Sequence, residues 1–295
     1  MSDNPQQRRN GELKVCDDIW LTVSSAEWAL GHLEVRRSED GTGAQIVKKN
    51  RGNVVHLPIP QGPPPAKLIG FNRIEIGYIN DTVIAFLRHF LFDMGITLDM
   101  SPLANQRWDI FVQQIWPLLS SNINGLSLID DTIRELRSRI SPTVLRDCAN
   151  LRSFCSRLLT PEWPADDRRE ASDGQAMTKW IHTPREDGLP KAFLYSGDVL
   201  LNTMVNGFRE TFLNASTAVN YIIVVIGEEA RADYVPFDLE NEQTRERLAF
   251  QRQGDYKWLM ERGPIVRDEK QWTEWKNEVM SGIQKNVIAF FIDEI

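Results

Sequence analysis

The chain has 295 residues, of which 42% are hydrophobic and 25% charged, the proportions of a folded globular protein. They exclude intrinsic disorder, a collagen-like sequence and a small cysteine-stapled scaffold. The 34 basic and 41 acidic residues leave a net charge of −7, which speaks against nonspecific binding to nucleic acid or to an acidic membrane surface.

Length alone suggests about two domains. The three cysteines, Cys16, Cys148 and Cys155, are odd in number and form no CxxC pair, so they predict neither a disulfide framework nor a zinc site. Met1 to Asn10 is polar and has no apolar core of a signal peptide. The longest clean apolar run, Tyr221 to Ile226, is too short for a membrane span. The expectation is an intracellular protein, cytoplasmic or nuclear, with no membrane or nucleic-acid partner.

Residues 1–14 predict a frayed polar leader. From Trp28 to Pro60 the pattern is a hairpin. Leu33 and Val35 alternate, Ser38 to Gly43 supplies a turn, Ile46 and Val47 return, and Val54 to Leu57 adds a short strand. Five prolines between Pro58 and Pro65 cannot continue a helix or a central strand. They predict a boundary closing an N-terminal module over 28–66.

Beyond it, strand and helix alternate. Ile74, Ile76 and Tyr78 form a half-buried strand, and Asn80 or Asp81 caps a helix carrying Val83, Leu87 and Phe90. Strands beginning near 74, 96, 126, 151, 192 and 221 are spaced by roughly 29 residues on average. Helices carrying Trp108, Leu136, Trp180 and Phe208 lie between them. The period predicts an α/β fold: an irregular leucine-rich-repeat-like βα solenoid with β-hairpin caps over 67–295. A single open α/β (or α+β) sheet is the alternative, because both architectures alternate strands with helices. The tail predicts antiparallel strands at Val235–Leu239 and Arg247–Phe250, a helix over Asp268–Met280 and a closing strand over Val287–Ile292. Both ends read as caps covering an exposed apolar edge.

The sequence holds little that resembles catalytic chemistry. Gly41-Thr42-Gly43 lacks the third glycine and the helix of a dinucleotide fingerprint. The carboxylate pairs Asp17-Asp18, Asp130-Asp131, Asp166-Asp167 and Glu228-Glu229 are sequence neighbours in polar segments, which suits helix starts and solvated charge. His32, His56, His89 and His182 show no metal spacing. His182 is expected at a helix end as an imidazolium favoured by the dipole. No serine stands in GxSxG, and Cys148 and Cys155 read as small buried hydrophobes. The tryptophans at helical spacing read as core. No catalytic residue, metal site or cofactor is expected.

Several segments carry a resemblance. They are Trp108-Asp109-Ile110-Phe111-Val112, Ile115-Trp116-Pro117, Ser141-Pro142-Thr143-Val144-Leu145, Asn150-Leu151-Arg152-Ser153 and Gly174-Gln175-Ala176-Met177-Thr178-Lys179-Trp180. In order follow Thr183-Pro184-Arg185-Glu186-Asp187-Gly188-Leu189-Pro190-Lys191, the most distinctive, then Val235-Pro236-Phe237-Asp238-Leu239-Glu240-Asn241 and Pro264-Ile265-Val266-Arg267-Asp268-Glu269. Together they resemble the divergent F-box-like family of parasitic nematodes over residues 28 to 292. An F-box docks on the adaptor of a cullin-type ubiquitin ligase while the downstream region presents a substrate. The resemblance therefore implies a non-catalytic substrate receptor with a protein partner. Val15 to Val23 is similar to the opening helix of such an F-box, which would place an adaptor-binding remnant at Ile19, Trp20 and Leu21 within residues 15–27. The sequence then passes directly into Ser24-Ser25-Ala26-Glu27-Trp28. Nine residues are too few for the usual adaptor surface, which counts against docking. Where family members commonly carry a cysteine, this chain has Gly263.

The polar residues expected on the solvent side of the strands, Arg73, Glu75, Thr97, Asp99 and Arg152, would line an extended partner face. The competing readings are a structural remnant that has lost its partner, and an α/β hydrolase or transferase working at the open end of a sheet.

Overall fold

The computed structural model describes residues 28–50, 53–62, 68–91, 95–100, 105–128, 132–196, 201–226, 234–282 and 284–291. The fold is mixed α/β, and the chain divides into two compact units. The first comprises Met1–Ile123 and Gln284–Ile295, the second Asn124–Ile283.

The first unit is built on strands β1 (Trp28–Arg37), β2 (Ala44–Asn50), β3 (Asn53–Pro58), β4 (Leu68–Ile76), β5 (Ile96–Met100) and β13 (Val287–Phe290). The expected hairpin is present: β1 and β2 are antiparallel with Val35 opposite Ile46, and β3 continues the meander. β1 also pairs in parallel with β4, Leu33 opposite Ile74. The hydrogen-bonded sheet therefore crosses the proline-rich stretch expected as a boundary. Pro58 ends β3 opposite Gln45, a strand-end position that proline tolerates.

The last strand is the surprise. Expected at a closing edge, β13 lies between β4 and β5 and is parallel to both. Ile288 faces Ile74 on one side and Leu98 on the other. Apolar alternation identifies a strand but carries no information on its neighbours. Asn286 guides it in. Its backbone is left-handed at φ 53°, a conformation asparagine tolerates. Its Oδ1 accepts from the Phe71 N–H at 2.9 Å and its Nδ2 donates to the Gly95 carbonyl at 3.0 Å. Gly70 makes room: a Cβ there would stand 2.5 Å from that Oδ1.

One face of this sheet is apolar. Leu33, Val35, Ile74, Ile76, Leu98, Met100, Ile288 and Phe290 are all buried. Helix α1 (Asp81–Phe90) begins at Asn80, whose side chain accepts from the Val83 N–H, as its position predicts. Helical residues Asn105–Ile110 (α2), a π-turn Phe111–Ile115 and Trp116–Leu119 (α3) follow. Pro117 has no N–H to continue the ladder, and the Trp116 N–H reaches back to the Phe111 carbonyl. The Phe111 ring meets Phe290 edge-on at 5.3 Å and Trp108 at 5.5 Å, so this helical segment packs over the inserted strand.

The second unit runs in the strand order β10-β11-β12-β9-β8-β7-β6. β6 (Ile123–Leu128), β7 (Ser153–Ser156), β8 (Lys191–Ser196) and β9 (Tyr221–Ile226) are parallel and follow chain order. β10 (Phe237–Asn241), β11 (Glu246–Arg252) and β12 (Lys257–Pro264) are antiparallel. Helices α4 (Thr132–Arg139), α5 (Val144–Asp147), α6 (Asp173–Ile181), α7 (Leu201–Leu213) and α8 (Glu269–Ser281) complete it.

Here both faces are covered along the parallel strands and β12, while β10 and β11 keep exposed charges at Asp238 and Arg247. Phe154 packs on Trp180 of α6 and Tyr221 on Phe208 of α7. On the opposite parity, Ile222, Val224 and Leu259 pack against Trp272 of α8. A solenoid keeps its helices on one side, so the architecture is the open α/β sheet. The sequential order β6 to β9 is what a βα repeat shares with it.

Candidate functional site

Strand parity assembles a charged surface on the first unit. With Leu33 and Val35 pointing into the core, His32, Glu34 and Arg36 take the other face of β1, and Arg73 and Glu75 take it on β4. Arg73 is the hub. Its Nε donates to Glu75 Oε1 at 2.9 Å and its Nη2 lies 2.8 Å from Asp99 Oδ2. Glu75 is shared with His32, whose Nε2 stands 3.3 Å away. Arg36 pairs with Glu34. The His32 and Arg36 side chains are 49% and 52% exposed, so this face is open to solvent at β1, while Thr97, Val287 and Ala289 on the same side are buried. Partial burial works against the charge of Arg73, and its bonds to Glu75 and Asp99 outweigh it, holding the guanidinium above its ordinary pKa.

Partly exposed ion pairs of this kind contribute about 0–1 kcal/mol each. Their larger effect is to hold opposite charges at fixed positions, and charges so held at an interface bear on specificity more than on affinity.

Of the five residues expected on a partner face, Arg73, Glu75 and Asp99 are thus brought together. Thr97 is not on the surface. It is 8% exposed because β13 pairs along it, with Val287 opposite and the Thr97 N–H donating to the Asn286 carbonyl at 3.0 Å. Arg152 belongs to the second unit, where its Nε donates to the Pro190 carbonyl at 3.2 Å and its Nη2 lies 3.2 Å from Glu278 of α8. Ile19, Trp20 and Leu21 lie outside the described residues. His32 was missed: a lone histidine without ligand spacing is visible only through the alternation 32, 34, 36.

In the second unit, α8 fills the sheet face on which Leu194, Ile222, Val224 and Leu259 lie. Asp268 caps it, accepting from the N–H groups of Lys270 and Gln271. The Trp272 indole donates to the buried Glu261 at 2.7 Å, and Arg267 stacks over the same ring at 4.2 Å. A Cβ at position 263 would stand 2.3 Å from the Trp272 ring. Gly263 is therefore the residue that lets this tryptophan seat.

One ion pair of this unit is fully internal, whereas others, such as Arg247 with Asp238 on β11 and β10, lie at the surface. Arg262 and Glu246 are each 1% exposed and meet at 2.6 Å. Arg262 also donates to the Thr217 carbonyl, and Glu246 accepts from the Val219 N–H. Beside them lies a concavity of about 420 Å³ lined by His182, Glu210, Asn214 and Thr217. The expected imidazolium at His182 is corrected. Burial pushes its pKa down to about 4, so the ring is neutral, and Nδ1 donates to the Thr178 carbonyl at 2.8 Å. Desolvation outweighs the helix dipole here.

A second concavity, of about 370 Å³, is lined by Cys148, Trp180, Arg185, Asp187 and Lys191 among others. It is formed by the most distinctive sequence segment, Thr183 to Lys191. Arg185 holds Asp187 and donates to the carbonyls of Asn150 and Leu151. Gly188 turns the chain at φ 70°, the left-handed region that favours glycine. Among the described residues no group of three histidine, cysteine or acidic side chains could hold a metal ion, and no helix is long and apolar enough to cross a membrane.

Comparisons with family models, with curated proteins and with solved structures find no match for this chain.

Proposed function

We propose that this chain is a non-catalytic protein-interaction protein, a substrate receptor of the kind found among F-box subunits of cullin-type ubiquitin ligases. The partner would be held on the charged face of the first unit. The resemblance of the sequence segments supports the class. The observation that carries the location is Arg73 bridging Glu75 and Asp99 beside the exposed His32 and Arg36. Docking to the ligase adaptor would fall to Ile19, Trp20 and Leu21, and the short segment makes it the weaker arm of the reading.

A photo-crosslinker at Arg36, followed by mass spectrometry of captured proteins, tests this. A reproducible protein partner is expected, with capture at least tenfold lower in the Arg73→Ala, Asp99→Ala double variant at unchanged circular dichroism. Equal capture by both forms, or recovery of neither the adaptor nor any reproducible partner, would refute it.

A further inference from the structure

The cavity under Thr183 to Lys191 has a feature that no receptor role requires. Lys191 is 5% exposed and lines the concavity of about 370 Å³. Its Nζ donates to the Trp180 carbonyl and lies 4.9 Å from the centre of the Trp180 ring. Among the described residues it has no ion pair, whereas the two arginines of the same lining are matched. Arg146 stands 3.3 Å from Asp167, and Arg185 pairs with Asp187. A buried lysine without a carboxylate partner is held by one carbonyl and the face of an indole.

We propose that this cavity is a covalent site for a small carbonyl compound, an aldehyde or 2-oxo acid, which condenses with the Lys191 amine to an imine. Burial, with the charge of Arg185 adding to it, brings this lysine down to about 7. About half of it is then free amine at neutral pH, against well under one in a thousand for an ordinary lysine near 10.4. The unprotonated amine is the nucleophile such chemistry requires. Cys148 lines the same cavity but does not compete, because burial and then Asp147 push its thiol up to about 12 and it stays protonated.

In the reaction the nitrogen lone pair forms a bond to the carbonyl carbon while the C=O π pair moves to oxygen. One N–H proton passes to that oxygen through water. The carbinolamine then loses its hydroxyl together with the second N–H proton, as water, and C=N forms. No oxidant or reductant is consumed. The neutral imine has no N–H; taking up one proton from water gives the iminium, whose N–H re-forms the bond to the Trp180 carbonyl. Nothing in this site depends on the receptor reading.

The test treats the full chain with limiting glyoxylate at pH 7, reduces with borohydride and maps the adducts by peptide mass spectrometry. Lys191 should be labelled at least tenfold faster than the exposed Lys270, and the ratio should fall towards one at pH 10, where exposed lysines also lose their protons. Lys191→Arg should abolish the cavity adduct and leave Lys270 labelling unchanged. Should that variant fail to fold, the ratio in the unaltered chain still decides. Labelling of Lys191 no faster than Lys270 at pH 7 would overturn the proposal.

Discussion

The two units treat the two faces of a sheet differently. In the first, helical residues pack on the apolar side through Phe111 and Phe290, while Arg73, Glu75, Asp99 and His32 tie ion pairs across the other side, which is open to solvent at β1. In the second, α6 and α7 cover one side and α8 the other, sealed by Trp272 against Ile222, Val224 and Leu259. A face already filled by the chain's own helix is not available to a partner. On the proposed reading, the contrast favours the first unit as the binding element over the covered parallel strands of the second.

The contrast is broken most completely by removing residues 284–295. β13 bridges β4 and β5, and Val287, Ile288, Ala289 and Phe290 are buried. Burial of each large side chain is worth about 1.5–3 kcal/mol. Hydrogen exchange should show Leu68–Met100 losing protection while β8, β9 and β12 keep theirs. Equal loss in both units would mean that they do not unfold as separate cooperative bodies.

Next in size is Glu246→Ala. It leaves the Arg262 guanidinium buried without its carboxylate, and breaking such a pair costs about 3–5 kcal/mol. Denaturant unfolding should show this loss in the second unit, with β4 and β13 unaffected. Gly263→Ala comes third. It forces Trp272 off the sheet or strains the backbone, for about 1–3 kcal/mol, and should appear as increased exchange in α8.

Acid separates the units more gently. His182 is held at about 4 in the folded state against an ordinary 6.5, so the unfolded chain takes up its proton first as pH falls. The second unit should be fully stable above about 6.5 and lose on the order of 2 kcal/mol between there and 4. His182→Gln should flatten that stretch of the stability curve.

Much of this was legible in the sequence because alternation and capping are local. The β1–β2 turn, the Asn80 cap, the buried Trp108 and Trp180, and the βα series from β6 to β9 all announce themselves within a few residues. Three things were not legible. β12 was missed because Glu261 and Arg262 interrupt its apolar pattern, and their partners, Trp272 and Glu246, lie elsewhere in the chain. The slot taken by β13 depends on pairings with Arg73–Ile76 and Thr97–Met100, which no local pattern records. For the same reason Thr97 read as a surface residue and is buried. At the charged face, the sequence alternation named Arg73, Glu75 and Asp99, and the structure brings the three together. Arg152 has the same local character, yet it belongs to the other unit and to Glu278.

The smallest change in stability carries the sharpest test. Exchanging charges as Arg73→Asp, Asp99→Arg keeps the net charge and an ion pair between these positions but gives up the bond to Glu75 and inverts the pattern, at about 1 kcal/mol for each pair lost. Arg152→Ala, Glu278→Ala removes the corresponding ion pair of the second unit. Quantitative capture of the partner crosslinked at Arg36, compared across the unaltered chain and these two double variants, addresses the central claim directly. Capture should fall at least tenfold on inversion in the first unit and stay unchanged in the second. Loss that instead follows Arg152 and Glu278 would contradict it.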